Sequence, residues 1–291
     1  MCSPASERGF PGCHPVTDEN KARHDTAGRL AAPHPRIRAG SMEPPIEMES
    51  IQSVSALQSV NPVQPAAGYQ GGKRNLARRI CDLINRVYHD GYAEPFVGMG
   101  GIFLRRSTRP RAEVINDISG DVVTFFRVLQ EHYPYFIDML RFRVASRNEF
   151  DRLCAIDPAR LTDLQRAARF LYLQRLAFGG KIVGRNFGVN SRAGAGFNVS
   201  KLEPMLADIH DRLAGVVIEQ LPYDRFLERY DRPGMLFYLD PPYFGCERDY
   251  GPDVFGPADF DRLAGVLARA VDARDIRRGE SGRRGETGGS F

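Results

Sequence analysis

The chain has 291 residues, a formal net charge of +4, 42% hydrophobic residues and 26% charged ones, the balance of a globular protein with ample sequence for a core. No apolar run reaches membrane-spanning length, and the N-terminus lacks the charged-then-apolar order of a signal peptide. The five cysteines (Cys2, Cys13, Cys81, Cys154, Cys246) have no paired spacing, so a cytoplasmic protein with no membrane contact, no disulfide framework and no bound metal is expected.

Residues 1–60 are rich in Pro, Ser, His and charge without a sustained apolar period. They read as a disordered or non-native extension preceding a start near Met42 or Met48. Helical periodicity runs from Asn75 to Tyr88, with Leu76, Ile80, Leu83, Ile84 and Val87 on one face. A short strand is expected before Gly98, the start of a helix at Ile102 to Arg106, a second strand at Ala112 to Ile115 and a helix at Val122 to Leu129. The character changes from about 133 to 205. Helical stretches near 147–155 and 162–178 lead into a Gly/Asn/Arg-rich segment, Gly179 to Asn198.

Strand and helix resume at Val216 to Glu219 and Pro222 to Arg229, followed by the apolar run Met235 to Leu239. This order predicts an α/β domain at 61–132 and 206–270, interrupted by an insert at 133–205. Residues 271–291 are mostly Arg, Gly, Asp and Glu, as in a disordered or frameshifted tail.

Four motifs bear on chemistry. Asp240-Pro241-Pro242-Tyr243 ends the last apolar run, because neither proline can donate to a sheet ladder. That puts an acid and a flat ring at a strand's carboxyl end, suited to holding the amino group of a planar base; a plain Pro-Pro turn fits the tetrapeptide equally. Glu94-Pro95-Phe96-Val97-Gly98-Met99-Gly100-Gly101 is a strand-to-helix turn whose glycines admit a ligand close to the backbone. Its spacing is not the dinucleotide fingerprint. Asn116-Asp117 ends the next strand, where an acid accepts ribose hydroxyls or simply caps a turn. Upstream, Tyr69-Gln70-Gly71-Gly72-Lys73 sets a cation at a helix start against the helix dipole, which favours a place beside a ligand.

In this order, Gly-Gly-Lys, Glu-Pro-Phe-x-Gly-x-Gly, Asn-Asp, a variable insert and Asp-Pro-Pro-Tyr resemble the Dam-type DNA adenine-N6 methyltransferases, from about Tyr69 to Ala270. Phe170 to Arg175 and Phe197-Asn198-Val199 resemble that family too. The resemblance implies a Rossmann-like S-adenosyl-L-methionine-dependent sheet with a mainly helical DNA-recognition insert, acting on double-stranded DNA without a metal; a monomer is expected, although nothing in the sequence fixes the oligomeric state. It implies that Tyr69, Lys73, Phe96, Gly98, Gly100, Asp117 and Asp240 line the cofactor site. Asp240, Pro241, Pro242 and Tyr243 would then hold and stack the flipped adenine.

Arginines of the insert suit phosphate contacts, although most read as a solvated face. Arg175, Lys181, Arg185, Asn190 and Arg192 are the expected DNA contacts. Relatives carry further core strands after Asp-Pro-Pro-Tyr, and none is legible here, so a sheet cut short and a poorly stable or inactive chain are expected. Two other functions stand beside the leading one: a silent DNA-binding remnant of such an enzyme, and methyl transfer to an amide or a cytosine amine.

Overall fold

The computed structural model describes residues 57–188, 194, 196–245, 250–251 and 254–269, all within one compact unit. The tail at 271–291 and most of the extension at 1–60 lie outside these residues. The end of the extension corrects the expected disorder. Gln58–Ser59 (β1) pairs antiparallel with Thr108 and Arg109, and the Val60 amide donates to the Ser107 carbonyl at 2.9 Å.

Helix α1 (Ala77–Arg86) leads into β2 (Gly91–Glu94), then the short β3 (Thr108–Arg109) and β4 (Ala112–Asn116). Five helices follow: α2 (Gly120–Glu131), α3 (Tyr133–Leu140), α4 (Arg147–Ala155), α5 (Asp163–Leu176) and α6 (Val199–Arg212). The described chain ends with β5 (Val217–Glu219), α7 (Tyr223–Tyr230), β6 (Met235–Phe237) and a helix over 257–269, here α8. Strands β5, β4, β2 and β6 lie side by side in that order, each pair parallel. The α/β class with a parallel sheet is therefore present.

Alternation along the strands builds two cores. Tyr92 and Ile115 face a large cluster with α1, α2 and α5, whereas Ala93, Val114 and Met235 face Phe226 of α7. β5 and β6 are the two edges of this sheet among the described residues, and the β6 side carries the Asp240 end. The β6 ladder outlasts the strand by one bond, from the Tyr238 amide to the Ala93 carbonyl at 3.0 Å.

Helix α5 starts at a capping box. Thr162 Oγ1 accepts from the Gln165 amide at 3.3 Å, and Gln165 Oε1 accepts from the Thr162 amide at 3.1 Å. Its residues Ala167 to Gln174 are all buried, and Phe170 packs on Phe125 of α2. The stretch 133–205 thus shares the core of the sheet, and the boundary expected at 205/206 falls inside α6.

Two local expectations are corrected. Helix α1 buries Ala77, Cys81 and Ile84, while Leu76, Leu83 and Val87 are 51%, 53% and 52% exposed. Small side chains let the helix axis approach its neighbours, which the apolar count alone does not register. The helix expected at 102–106 is a single 3-10 turn, Phe103–Arg105, because Arg106 turns into an extended backbone.

That turn delivers Arg106 to a dry ionic cluster. Glu113 Oε1 accepts from Arg106 Nη1 at 3.0 Å, and the same carboxylate takes a two-pronged bond from Arg212 of α6, both arms 2.7 Å. Arg106 also stacks on Tyr92 at 3.8 Å, and Arg212 on Phe103 at 4.1 Å. Its Nη2 donates to His89 Nε2 at 3.1 Å, which makes that nitrogen the acceptor and leaves Nδ1–H to donate to the Val87 carbonyl at 2.7 Å. Burial first, with Arg106 acting in the same sense, lowers the His89 pKa below its usual value. The single carboxylate joins β4, α6 and the loop after the 3-10 turn. Glu113→Ala should strand two buried guanidinium groups and cost about 3–5 kcal/mol in urea unfolding. A loss below about 1 kcal/mol would show that water already reaches the cluster.

Candidate functional site

Parallel strands β2, β4 and β6 end on one side, so the Glu94–Gly101 turn, Asn116-Asp117 and Asp240 become neighbours. Most of that turn, Asp117 and Asp240 line a cavity of about 450 Å³, together with Tyr69 and Lys73. β2 pairs with β4 on one side and with β6 on the other, the place where open α/β sheets hold ligands.

The glycine turn is held from both flanks. Asn116 Nδ2 donates to the carbonyls of Pro95 at 2.9 Å and Leu221 at 3.0 Å, and its Oδ1 accepts from the Leu221 amide at 2.8 Å. One amide side chain therefore ties the turn to the loop after β5. Gly98 has φ 51°, and a β-carbon there would stand 2.9 Å from the Tyr69 ring. The Gly98 amide donates to Asp117 Oδ2 and the Ser119 amide to Oδ1, both at 2.9 Å. Burial raises the Asp117 carboxyl to about 6 in spite of these two bonds. Gly100 has another task. It does not line the cavity, and its missing β-carbon makes room for Leu104 and Phe126.

Lys73 and Asp240, 167 positions apart in sequence, meet at 2.6 Å. The Lys73 ammonium also donates to the Gly71 carbonyl at 3.0 Å and lies 4.6 Å from the centre of the Tyr243 ring. Burial pulls its pKa down, but the bonds to Asp240 and Tyr243 outweigh that and leave it above the usual lysine value. Burial likewise raises the Asp240 carboxyl, against the pull of Lys73. Pro242 lines the cavity, whereas Pro241 does not and Tyr243 is half exposed at its edge.

Glu94 is absent from the expected site, although its motif is legible. It is buried, lines the cavity and accepts from the Tyr92 hydroxyl at 3.0 Å. Burial raises it to about 8, so near neutral pH it carries a proton. Its signal in sequence is a lone acid preceding Pro-Phe at the end of an apolar strand, where only burial tells a neutral carboxyl from a charged one.

The expected DNA contacts fall differently. Arg175 lines the cavity, with its guanidinium on the carbonyls of Gly196 at 2.8 Å and Ala66 at 3.0 Å. Lys181 is exposed, and Arg185 is partly buried with Nε on the Lys181 carbonyl at 3.3 Å. Asn190 and Arg192 lie outside the described residues. The loop bearing these residues is anchored by Gln174, whose Nε2 donates to the carbonyls of Gly68 at 2.9 Å and Gly180 at 2.6 Å. No cluster of His, Cys, Asp and Glu able to hold a metal occurs among the described residues, and no described helix is long and apolar enough to cross a membrane.

Fold and site define an open parallel α/β protein with its cavity at the turning point of the strand order. Residues 69–270 match the family model of the D12 class N6 adenine-specific DNA methyltransferases, and the chain belongs to that family. It is 24% identical over 205 residues to the Type II methyltransferase M.CviBI of Paramecium bursaria Chlorella virus NC1A, covering 69% of this chain and 77% of that relative. It is 30% identical over 137 residues to the DNA N-6-adenine-methyltransferase of Escherichia phage P1, covering 40% of this chain and 17% of that protein.

Glu94 makes stability depend on pH. Its folded pKa, about 8, lies above the ordinary 4.5, so the native state keeps a proton that the unfolded chain releases. The stabilisation from this group is full below 4.5 and is lost as pH rises through about 8. Glu94→Gln should remove that slope, gaining on the parent in urea unfolding as pH rises across the interval. Parallel stability curves for the two proteins would refute the assignment.

Proposed function

We propose that the protein transfers the methyl group of S-adenosyl-L-methionine to the N6 amine of adenine in double-stranded DNA, at a specific sequence. The observation that carries this reading is the meeting of Asp240, at the end of β6, with the glycine turn and Asp117 in one cavity wall. The residues suit the donor. Asp117 has acceptor capacity left for ribose hydroxyls, and the cavity volume of about 450 Å³ falls in the range of small-ligand sites. When bound, the donor supplies a methyl group already activated on a sulfonium.

The chain's own residues do the positioning. An adenine amine is a poor nucleophile because its lone pair is delocalised into the ring. The Asp240 carboxylate and the Pro241 carbonyl would accept its two hydrogens, draw the nitrogen toward tetrahedral geometry and fix its direction. Two prolines make that frame rigid. Lys73 opposes the upward push of burial on the Asp240 carboxyl and must yield the carboxylate oxygen, in whole or part, to the arriving amine. Tyr243 stands exposed at the edge, where a base swung out of the duplex could stack on it.

In this reading 61–132 and 206–270 form the catalytic part and 133–205 the DNA-recognising part, with Lys181, Arg185, Asn190 and Arg192 on the DNA. Arg175, its guanidinium spent on two carbonyls, orders the loop that carries them. Asp240→Ala should lower methyl transfer by at least about a hundred- to a thousand-fold while sparing DNA binding. The assay is transfer from tritiated donor to DNA, followed by identification of the modified base. Undiminished transfer would dismiss the role of Asp240, and a labelled cytosine would change the acceptor.

A further inference from the structure

From Lys73 to Arg86 the chain has five cations, Lys73, Arg74, Arg78, Arg79 and Arg86, and one acid, Asp82. Lys73 is held by Asp240. The four arginines are exposed, and among the described residues their side chains form no ion pair and no hydrogen bond. Five other exposed arginines are each paired with an acid: Arg127 with Glu131, Arg141 with Asp138, Arg152 with Glu149, Arg225 with Glu228 and Arg262 with Asp259. Asp82 stands four positions from both Arg78 and Arg86, the spacing at which helical pairs form, and pairs with neither.

The row begins at the cavity. Arg74 lines its mouth beside Lys73, and Arg78 follows in the first turn of α1. Arg105 lines the same cavity, with Nη1 donating to the Gly101 carbonyl at 2.7 Å and Nη2 to Gln64 Oε1 at 3.1 Å. Burial, and then the like charge of Arg74, lower its pKa, so the two guanidinium groups stand close with no counter-ion to relieve them. Cations at the start of a helix oppose its dipole, and α1 has neither an acid in its first turn nor a side-chain cap. The arrangement is unfavourable in the protein alone, and a bound polyanion would offset it.

We infer that Arg74, Arg78 and Arg105 form a second phosphate track, outside the insert, that holds the DNA strand whose adenine is swung out. The inference rests on the proposed function, which supplies the DNA. A base that reaches Asp240 leaves the duplex, while the backbone that carries it stays at the cavity mouth, where Arg74 stands. Phosphate contacts position without reading sequence, so the track holds the target strand in place and leaves the choice of site to other residues. Leu76, Leu83 and Val87 are exposed on α1 as well, a combination that an anionic membrane could use. The start of the row at the cavity mouth favours DNA. Arg86, in the last turn, lies about 12 Å beyond Arg78 along the helix and outside the track.

The test is fluorescence anisotropy of a labelled duplex, titrated with the full chain over a series of salt concentrations. Arg74→Gln and Arg78→Gln should each flatten the slope of log affinity against log salt by about 0.9, and the double variant by twice that, as for one and two phosphate contacts on B-DNA. Arg74→Lys, which keeps the charge, and Arg86→Gln should both retain the parent slope. An equal loss from Arg86→Gln would overturn the inference, because overall charge would then be responsible. A parent slope in the double variant would overturn it too, in favour of a membrane contact if that variant loses the parent's binding to phosphatidylglycerol vesicles. A parent chain that binds no DNA would do the same. Methyl transfer is measured on the same samples: slopes shifted as expected, with no transfer by the parent, would remove the proposed function and keep the track.

Discussion

Parallel pairing of β2 with β4 on one side and β6 on the other is the constraint on which the site depends. Parallel strands finish at the same edge, so residues separated by more than a hundred positions are delivered to one place without any loop having to find another. Glu94, Asp117 and Asp240 are three carboxyl groups brought together in this way. Their crowding has a cost, because burial disfavours each charged form. The structure meets it differently for each: Glu94 keeps its proton, Asp117 takes two backbone amides, and Asp240 takes Lys73. One set of chemically similar side chains is thereby sorted into a neutral group, an amide-bound acceptor and an ion-paired acceptor.

The helices beyond the sheet are part of the same device. Buried Glu113, gripped by Arg106 and Arg212, pins α6 to β4 in the half of the strand away from the cavity. At the other end, Gln174 of α5 bonds Gly68 and Gly180 together, and a β-carbon on Gly180 would stand 2.9 Å from the Gly68 carbonyl carbon. The chain entering Tyr69 and the loop leaving α5 are therefore in close contact. In a family whose members act on adenine in DNA, this couples the basic loop to the wall of the cavity through packed backbone. The continuous core between α2 and α5 makes that coupling stiff.

Much of the fold was legible. Helix α4 occupies the predicted 147–155, and the strands at 112–116 and 217–219 and the helices α2, α5 and α7 are where periodicity and the run of apolar residues put them. The errors have physical causes. The face of α1 was misread because counting large apolar residues selects Leu76, Leu83 and Val87, while close packing selected Ala77 and Cys81. The helix expected at 102–106 failed because Arg106 gains more from Glu113, His89 and Tyr92 than from another helical turn. Helix α3 has no side-chain cap to make it stand out locally. Helix α6 does carry a side-chain cap, Asn198 Oδ1 accepting from the Lys201 amide at 3.3 Å, but the cap lies at the end of a Gly/Asn/Arg-rich segment that hides it among other turn residues.

The sequence by itself determined the identity of the family and which motifs carry its chemistry, because glycines that must adopt positive φ, a proline pair that must end a strand and acids at strand ends are local demands written in residue type. Only the tertiary structure decided that Glu94 keeps its proton, what Lys73 pairs with, that Gly100 packs on Leu104 and Phe126, and that Arg74 and Arg105 line the cavity with no ion-pair partner among the described residues. Those properties arise from distance and burial between segments far apart in the chain. Residue types alone do not encode them until the parallel strands bring their ends together.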